Sequence, residues 1–196
     1  MNNRQSIRKP GYDYAEPGDY FVTVCVRNRE PLLGAVEGQK VVLSAMGLIV
    51  RREWIDIPER FPTVRLDEFT IMPNHVHGII TIVGVPLAGT RRVDQAHGVD
   101  CGDSDATRCG LPTVRAGASP APTPTLGIII GAFKSLSDRR CRQTTVAAKP
   151  QPRFGHLWQR NYHEHIIGDP DELKRIQVYI RNNPGNWMDD PDYVPG

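Results

Sequence analysis

Apolar and polar positions alternate through DYFVTVCVRNR (19–29), a β-branched stretch that predicts a first strand. In VVLSAMGLIVRREWIDIP (41–58) the period changes. Leu43, Met46, Val50 and Trp54 recur at helical spacing, Ser44 offers a cap, and Pro58 marks the end. Two more strands are expected at 63–73 and 74–84, joined by a tight turn at Pro73-Asn74. TLGIIIGAFKSLSDRRCRQ (125–143) reads as an amphipathic helix with a basic C-terminal half, 144–155 as a loop, and HLWQRNYHEHII (156–167) as a strand. The last helix has explicit start and stop signals. Asp169 is its N-cap, Pro170 its first helical residue and Glu172 the partner in a capping box, while Asn183-Pro184-Gly185 stops it.

The order β-α-β-β-α-β-α predicts an α+β fold. Its first six elements match a ferredoxin-like split βαβ pair, with one antiparallel sheet and helices on one face, and the C-terminal helix is an addition. Residues 85–124 break the pattern. They are rich in Gly, Pro, Ala, Ser and Thr and carry no periodicity, so they are expected to be a disordered insertion within one domain spanning 1–196.

Composition adds limits. No run of 18 apolar residues predicts a membrane span, and MNNRQSIRKPGYDY has no apolar signal core, so a soluble cytoplasmic protein is expected. Cys25, Cys101, Cys109 and Cys141 form no CxxC pair and are read as reduced thiols. The net charge of +2 says little, but residues 134–160 carry seven cations against Asp138 alone. Such a segment is either a solvated face or a phosphate-binding one.

The chemistry concentrates in MPNHVHGII (72–80). On a strand, His75 and His77 point to one face, about 7 Å apart along the chain, and Val76 points to the other. Two imidazoles on one face can grip a metal ion or stand as independent histidines. A second such pair is His163 and His165, and Tyr179 and Asn183 share one face of the last helix at i and i+4, beside the stripe Leu173, Ile176, Ile180. By itself that helix reads more readily as a packing tyrosine and a polar C-terminal asparagine than as a site.

Together these pieces resemble the HUH single-strand nucleases, and more narrowly the REP-associated tyrosine transposases. LDEFTIMPNHVHGII is similar to the family's metal-site strand pair, and GAFKS, LWQRNYHEHII and YIRNNP resemble its later blocks in the same order. The resemblance implies His75 and His77 as metal ligands, Tyr179 as nucleophile, and Asn183 where relatives carry a third polar ligand. It implies Mg²⁺ or Mn²⁺, and imidazole ligands suit Mn²⁺ better. The implied reaction is cleavage and rejoining of single-stranded DNA at REP-like hairpins through a 5′-phosphotyrosine. His163, His165 or metal-bound water are the open choices for the proton acceptor, and Tyr162 is second in line as nucleophile.

Lys134, Arg139, Arg140, Arg142 and Arg160 are the expected backbone-binding residues, with Arg4, Arg8 and Lys9 also available. Arg91, Arg92, Arg108 and Arg115 of the insertion are further cations, and Trp158 and Trp187 are candidate stacking platforms. Family relatives include dimers and monomers, so both states stay open. Two other readings stand beside this one. The first is a non-catalytic single-stranded nucleic-acid-binding module, although no aromatic-rich RNP pattern is present. The second is a metal hydrolase that uses both HxH pairs.

Overall fold

A computed structural model describes residues 9–84, 123–146 and 155–193. The expected insertion at 85–124 falls almost wholly outside them, as do Arg4, Arg8, Cys101 and Cys109. The elements are β1 (Gly18–Cys25), β2 (Gly34–Glu37), β3 (Lys40–Leu43), α1 (Ala45–Ile55), α2 (Ile57–Arg60), β4 (Val64–Ile71), β5 (His75–Ile82), α3 (Leu126–Val146), β6 (His163–Ile167) and α4 (Pro170–Asn182). A 3₁₀ segment, Asn183–Asp189, follows α4.

Four strands make one antiparallel sheet in the order β4-β5-β1-β6, the expected split βαβ arrangement with β5 and β1 central. Alternation sends Tyr20, Val22, Val24, Val76 and Ile80 to one face, where they join Val50, Trp54, Ile129, Ile130 and Phe133 of α1 and α3 in the apolar core. The other face carries His75 and His77 and lies under α4 and the 3₁₀ segment. With both faces covered, every residue of β5 except Thr81 is buried, so its apolar run has no solvent side.

At Gly78 the strand lies close against α1. A Cβ there would sit 2.3 Å from Trp54 Cζ2, and the Trp54 ring is itself held edge-on to Phe133 at 5.1 Å. Gly78→Ala is expected to lower stability by about 1–3 kcal/mol through overpacking, seen as a reduced urea midpoint. An unchanged midpoint would contradict this packing.

Several boundaries differ from the sequence expectation. Residues 41–43 belong to a β2–β3 hairpin, and the helix begins after them, where Ser44 Oγ accepts the Gly47 N–H at 3.1 Å. Pro58 opens α2 rather than ending the structure, because a proline in the first helical turn gives up no hydrogen bond. The first strand stops at Cys25, and the chain turns through Asn28 and Arg29 at positive φ.

The expected strand at 156–167 is ordered as β6 only from His163. Upstream, the Lys134 ammonium draws in the carbonyls of Gln159, Arg160 and Asn161 at 2.6, 2.9 and 3.3 Å, and Trp158 makes only an isolated bridge to Val26. Carbonyls gathered round one cation cannot also alternate along a ladder.

The ends of α4 follow their signals with two adjustments. Asp169 caps the N–H groups of Asp171 and Glu172, but Glu172 accepts from Gly168 rather than Asp169. The helix ends at Asn182, and the chain winds on as the 3₁₀ segment, which carries the tail back across the sheet.

Candidate active site

The placement of α4 begins with an irregularity in β4. The register slips between Leu66 and Phe69, and the residues in the slip reach up to the helix. Asp67 Oδ2 accepts from Gln177 Nε2 at 2.8 Å, and Glu68 pairs with Arg181 at 2.8 Å. On the opposite edge, His165 Nε2 meets Glu172 Oε1 at 2.8 Å. Pinned at both sheet edges, α4 buries Ile180 and lays the Tyr179 ring 5.4 Å from that of His77 and 6.1 Å from Phe21. Tyr179 remains 41% exposed, which leaves its phenol reachable from outside.

Below it, His75 and His77 are both buried and their rings lie 4.3 Å apart. The Asn74 amide nitrogen donates to the carbonyls of Asp192 (2.8 Å) and Arg29 (3.2 Å), which turns Asn74 Oδ1 toward His75 Nδ1 at 2.8 Å. That oxygen can only accept, so Nδ1 carries the hydrogen and Nε2 presents its lone pair to the site. His75 Nε2 is buried without a hydrogen-bond partner. Burial, and then the neighbouring His77, push the His75 pKa down to about 3, so the ring is neutral and ligand-ready at ordinary pH. His77 Nδ1 is held by Thr23 Oγ1 at 2.9 Å, and its Nε2 lies 3.4 Å from the Tyr179 hydroxyl.

The residue that completes the cluster is Asp190. Its Oδ2 lies 3.3 Å from the Tyr179 hydroxyl, 3.6 Å from His77 Nε2 and 4.0 Å from His75 Nε2, and it accepts from Asn183 Nδ2 at 2.5 Å. Its Oδ1 accepts from the Asp192 N–H at 2.7 Å. Burial alone would raise this carboxyl, but His77, Asn183 and the Asp192 N–H outweigh it and hold the group well below the usual carboxylate range. Tyr179 moves the other way. Burial, and then the Asp190 charge, push its phenol up to about 12, so the hydroxyl keeps its proton in this arrangement.

Ligand atoms of His75, His77, Asp190 and Asp192 all lie within 4.8 Å of one another, though Asp192 also pairs with Arg29 at 2.7 Å. Two imidazoles and two carboxylates around a partnerless buried nitrogen fit a divalent cation that accepts both nitrogen and oxygen. Asn183, expected as the third ligand, turns its amide nitrogen to Asp190, and its buried Oδ1 has no partner. Asp190 and Asp192 stand in the sequence only as an acidic tail. Their one local signal is that acids follow closely on the Tyr-x-x-x-Asn helix.

The second histidine pair stays apart from this cluster. In the sheet row Thr70–His77–Thr23–His163, His163 is two strands, about 10 Å, from His77. His165 is engaged with Glu172. Among the described residues, the ligand atoms that cluster with His75 and His77 are those of Asp190 and Asp192, not those of the second HxH pair. Tyr162 lies in the apolar core, as does Trp158, whose Nε1 donates to Ser137, so neither offers an accessible ring. Trp187 stands 5.9 Å from the His75 ring. The face a sheet-binding RNA module would expose is roofed by α4.

The basic segment is more committed than its charge suggests. Besides Lys134, Arg140 pairs with the buried Glu53 at 2.5 Å, and Arg142 pairs with Asp138. Arg139 and Arg160 stay exposed. Arg160 lines a cleft of about 660 Å³ with Arg27 and His156.

No protein-family model matches the chain. A Haemophilus influenzae protein described as uncharacterized is 38% identical over 197 residues, an alignment that spans 99% of this chain and 95% of that one. The fold is similar to the solved structure of a REP-associated tyrosine transposase bound to a REP hairpin. That match has a TM-score of 0.52 at 18% identity and covers 95% of this chain and 80% of the other. At that identity the likeness is one of fold.

Proposed function

We propose, for a chain that belongs to one family with the Haemophilus influenzae protein, a transposase-type activity on DNA: metal-dependent cleavage and rejoining of single strands at small hairpins, with Tyr179 as nucleophile. The observation that carries it is the meeting of a half-exposed phenol with His77 and Asp190 above the partnerless His75 nitrogen. The fold shared with a hairpin-bound tyrosine transposase supports the choice of substrate.

His75, His77 and Asp190 would hold the cation, with Asn183 and Asp192 adjoining. A divalent ion there, Mn²⁺ in preference to Mg²⁺, supplies charge neutralisation at the phosphate. In this reading Tyr179, carried on α4, attacks phosphorus in line. As the bond from phenolic oxygen to phosphorus forms, the bond to the 3′ oxygen breaks. The products are a 5′-phosphotyrosine and a 3′-hydroxyl, and the proton lost by the phenol balances the one the 3′ oxygen gains.

The raised phenol and the lowered Asp190 carboxyl make Asp190 a poor proton acceptor for Tyr179, and a cation beside Asp190 would offset the charge that raises the phenol. A single strand can bend its phosphate beneath α4, and a stacked duplex cannot. With Mn²⁺ present, a labelled single-stranded palindrome should yield a covalent band on a denaturing gel, and the same sequence as a full duplex should not. Equal bands from both, or none from either, would reject the reading.

A further inference from the structure

A second basic groove lies on the β4 side of the site, away from the basic segment 134–160. It encloses about 510 Å³ between the β2–β3 hairpin, α1 and β4, and its lining includes Gln39, Lys40, Arg51, Thr70, Ile71 and Pro184 with no acidic side chain. Its position ties it to the site. Thr70 is the cross-strand partner of His77, and Pro184 directly follows Asn183. The hairpin turn reaches the same 3₁₀ segment, since Gln39 lies against Gly185.

Neither cation of the groove is held in an ion pair among the described residues. Arg29, Arg52, Arg60, Arg140, Arg142 and Arg181 each pair with a carboxylate. Among the described residues, Lys40 and Arg51 form no such ion pair, although Glu37 stands opposite Lys40 in the hairpin register, and both cations are exposed. Two exposed cations over an apolar and amide-lined floor complement a sugar–phosphate backbone with its bases laid inward.

We infer that this groove binds the single-stranded flank of the substrate and leads its backbone past Thr70 to the phosphate beneath Tyr179. The inference rests on the proposed DNA activity and assigns the β2–β3 hairpin, which the split βαβ fold does not need, to substrate binding.

The test is fluorescence anisotropy with an oligothymidylate of roughly a dozen nucleotides, within the site size of single-strand binders. The double variant K40E/R51E should bind it about tenfold more weakly, with a salt slope shallower by about 1.4 for two lost phosphate contacts. A methylphosphonate oligothymidylate, which has no backbone charge, should be bound equally by both proteins. Wild-type affinity and slope in the variant would overturn the groove while leaving the Tyr179 chemistry standing if the wild-type adduct forms. A wild-type protein that neither binds the oligothymidylate nor forms an adduct would overturn both. Both side chains are exposed, so the variant should keep its circular dichroism spectrum and melting midpoint.

Discussion

Tyr179→Phe should abolish the covalent protein–DNA band, with strand cleavage falling at least about 10⁴-fold, because the oxygen that bonds to phosphorus is gone. The fold should hardly notice. The ring stays on His77 and Phe21, and the lost hydroxyl contacts, at 3.3 and 3.4 Å, are long, so less than about 1 kcal/mol of stability is at stake. Binding of single-stranded DNA should persist. The result to look for is therefore a protein that melts and binds like the wild type and makes no adduct. An adduct that survives the substitution would displace Tyr179, and no buried core residue such as Tyr162 is placed to inherit its role.

The second large effect concerns the cation. His77→Ala should weaken Mn²⁺ binding by at least about 100-fold in calorimetric titration, since it removes an imidazole that Thr23 holds in place. His75→Ala should act alike, since the partnerless nitrogen is its own. Each substitution empties a buried site and is expected to cost about 2–4 kcal/mol in the metal-free protein, so the melting comparison is made with and without Mn²⁺. At 100 times the wild-type Kd the ion should stabilise the wild type by about 2.7 kcal/mol and the variants by about 0.4 kcal/mol or less. His163→Ala and His165→Ala should retain Mn²⁺ affinity within about threefold, as both lie outside the cluster. Loss of metal with the edge histidines, or its retention without His77, would break the assignment.

Elements whose cause lies within a few neighbouring residues were legible in the chain. The alternation in β1, β4 and β5, the Ser44 and Asp169 caps and the Pro73-Asn74 turn all depend on residues adjacent in sequence, and they reappear in the structure. So does the shared face of His75 and His77, which follows from the strand period alone. The β2–β3 hairpin was missed because each of its strands has only four residues, too few to set a period against the helix that follows.

The sequence by itself thus determined the α+β class, the order of the main elements, and a phenol and two imidazoles as the reactive groups. Only the tertiary structure decided which distant groups meet them. Asp190 reaches the histidines because the chain continues as a 3₁₀ turn beyond Pro184. Lys134 leaves the basic face for three carbonyls, and the acids at the β4 slip anchor α4 so that Tyr179 stands over His77. Local patterns are set by backbone geometry over one or two turns. Convergence of side chains far apart in sequence is set by which faces pack, and packing energies are sums over the whole fold.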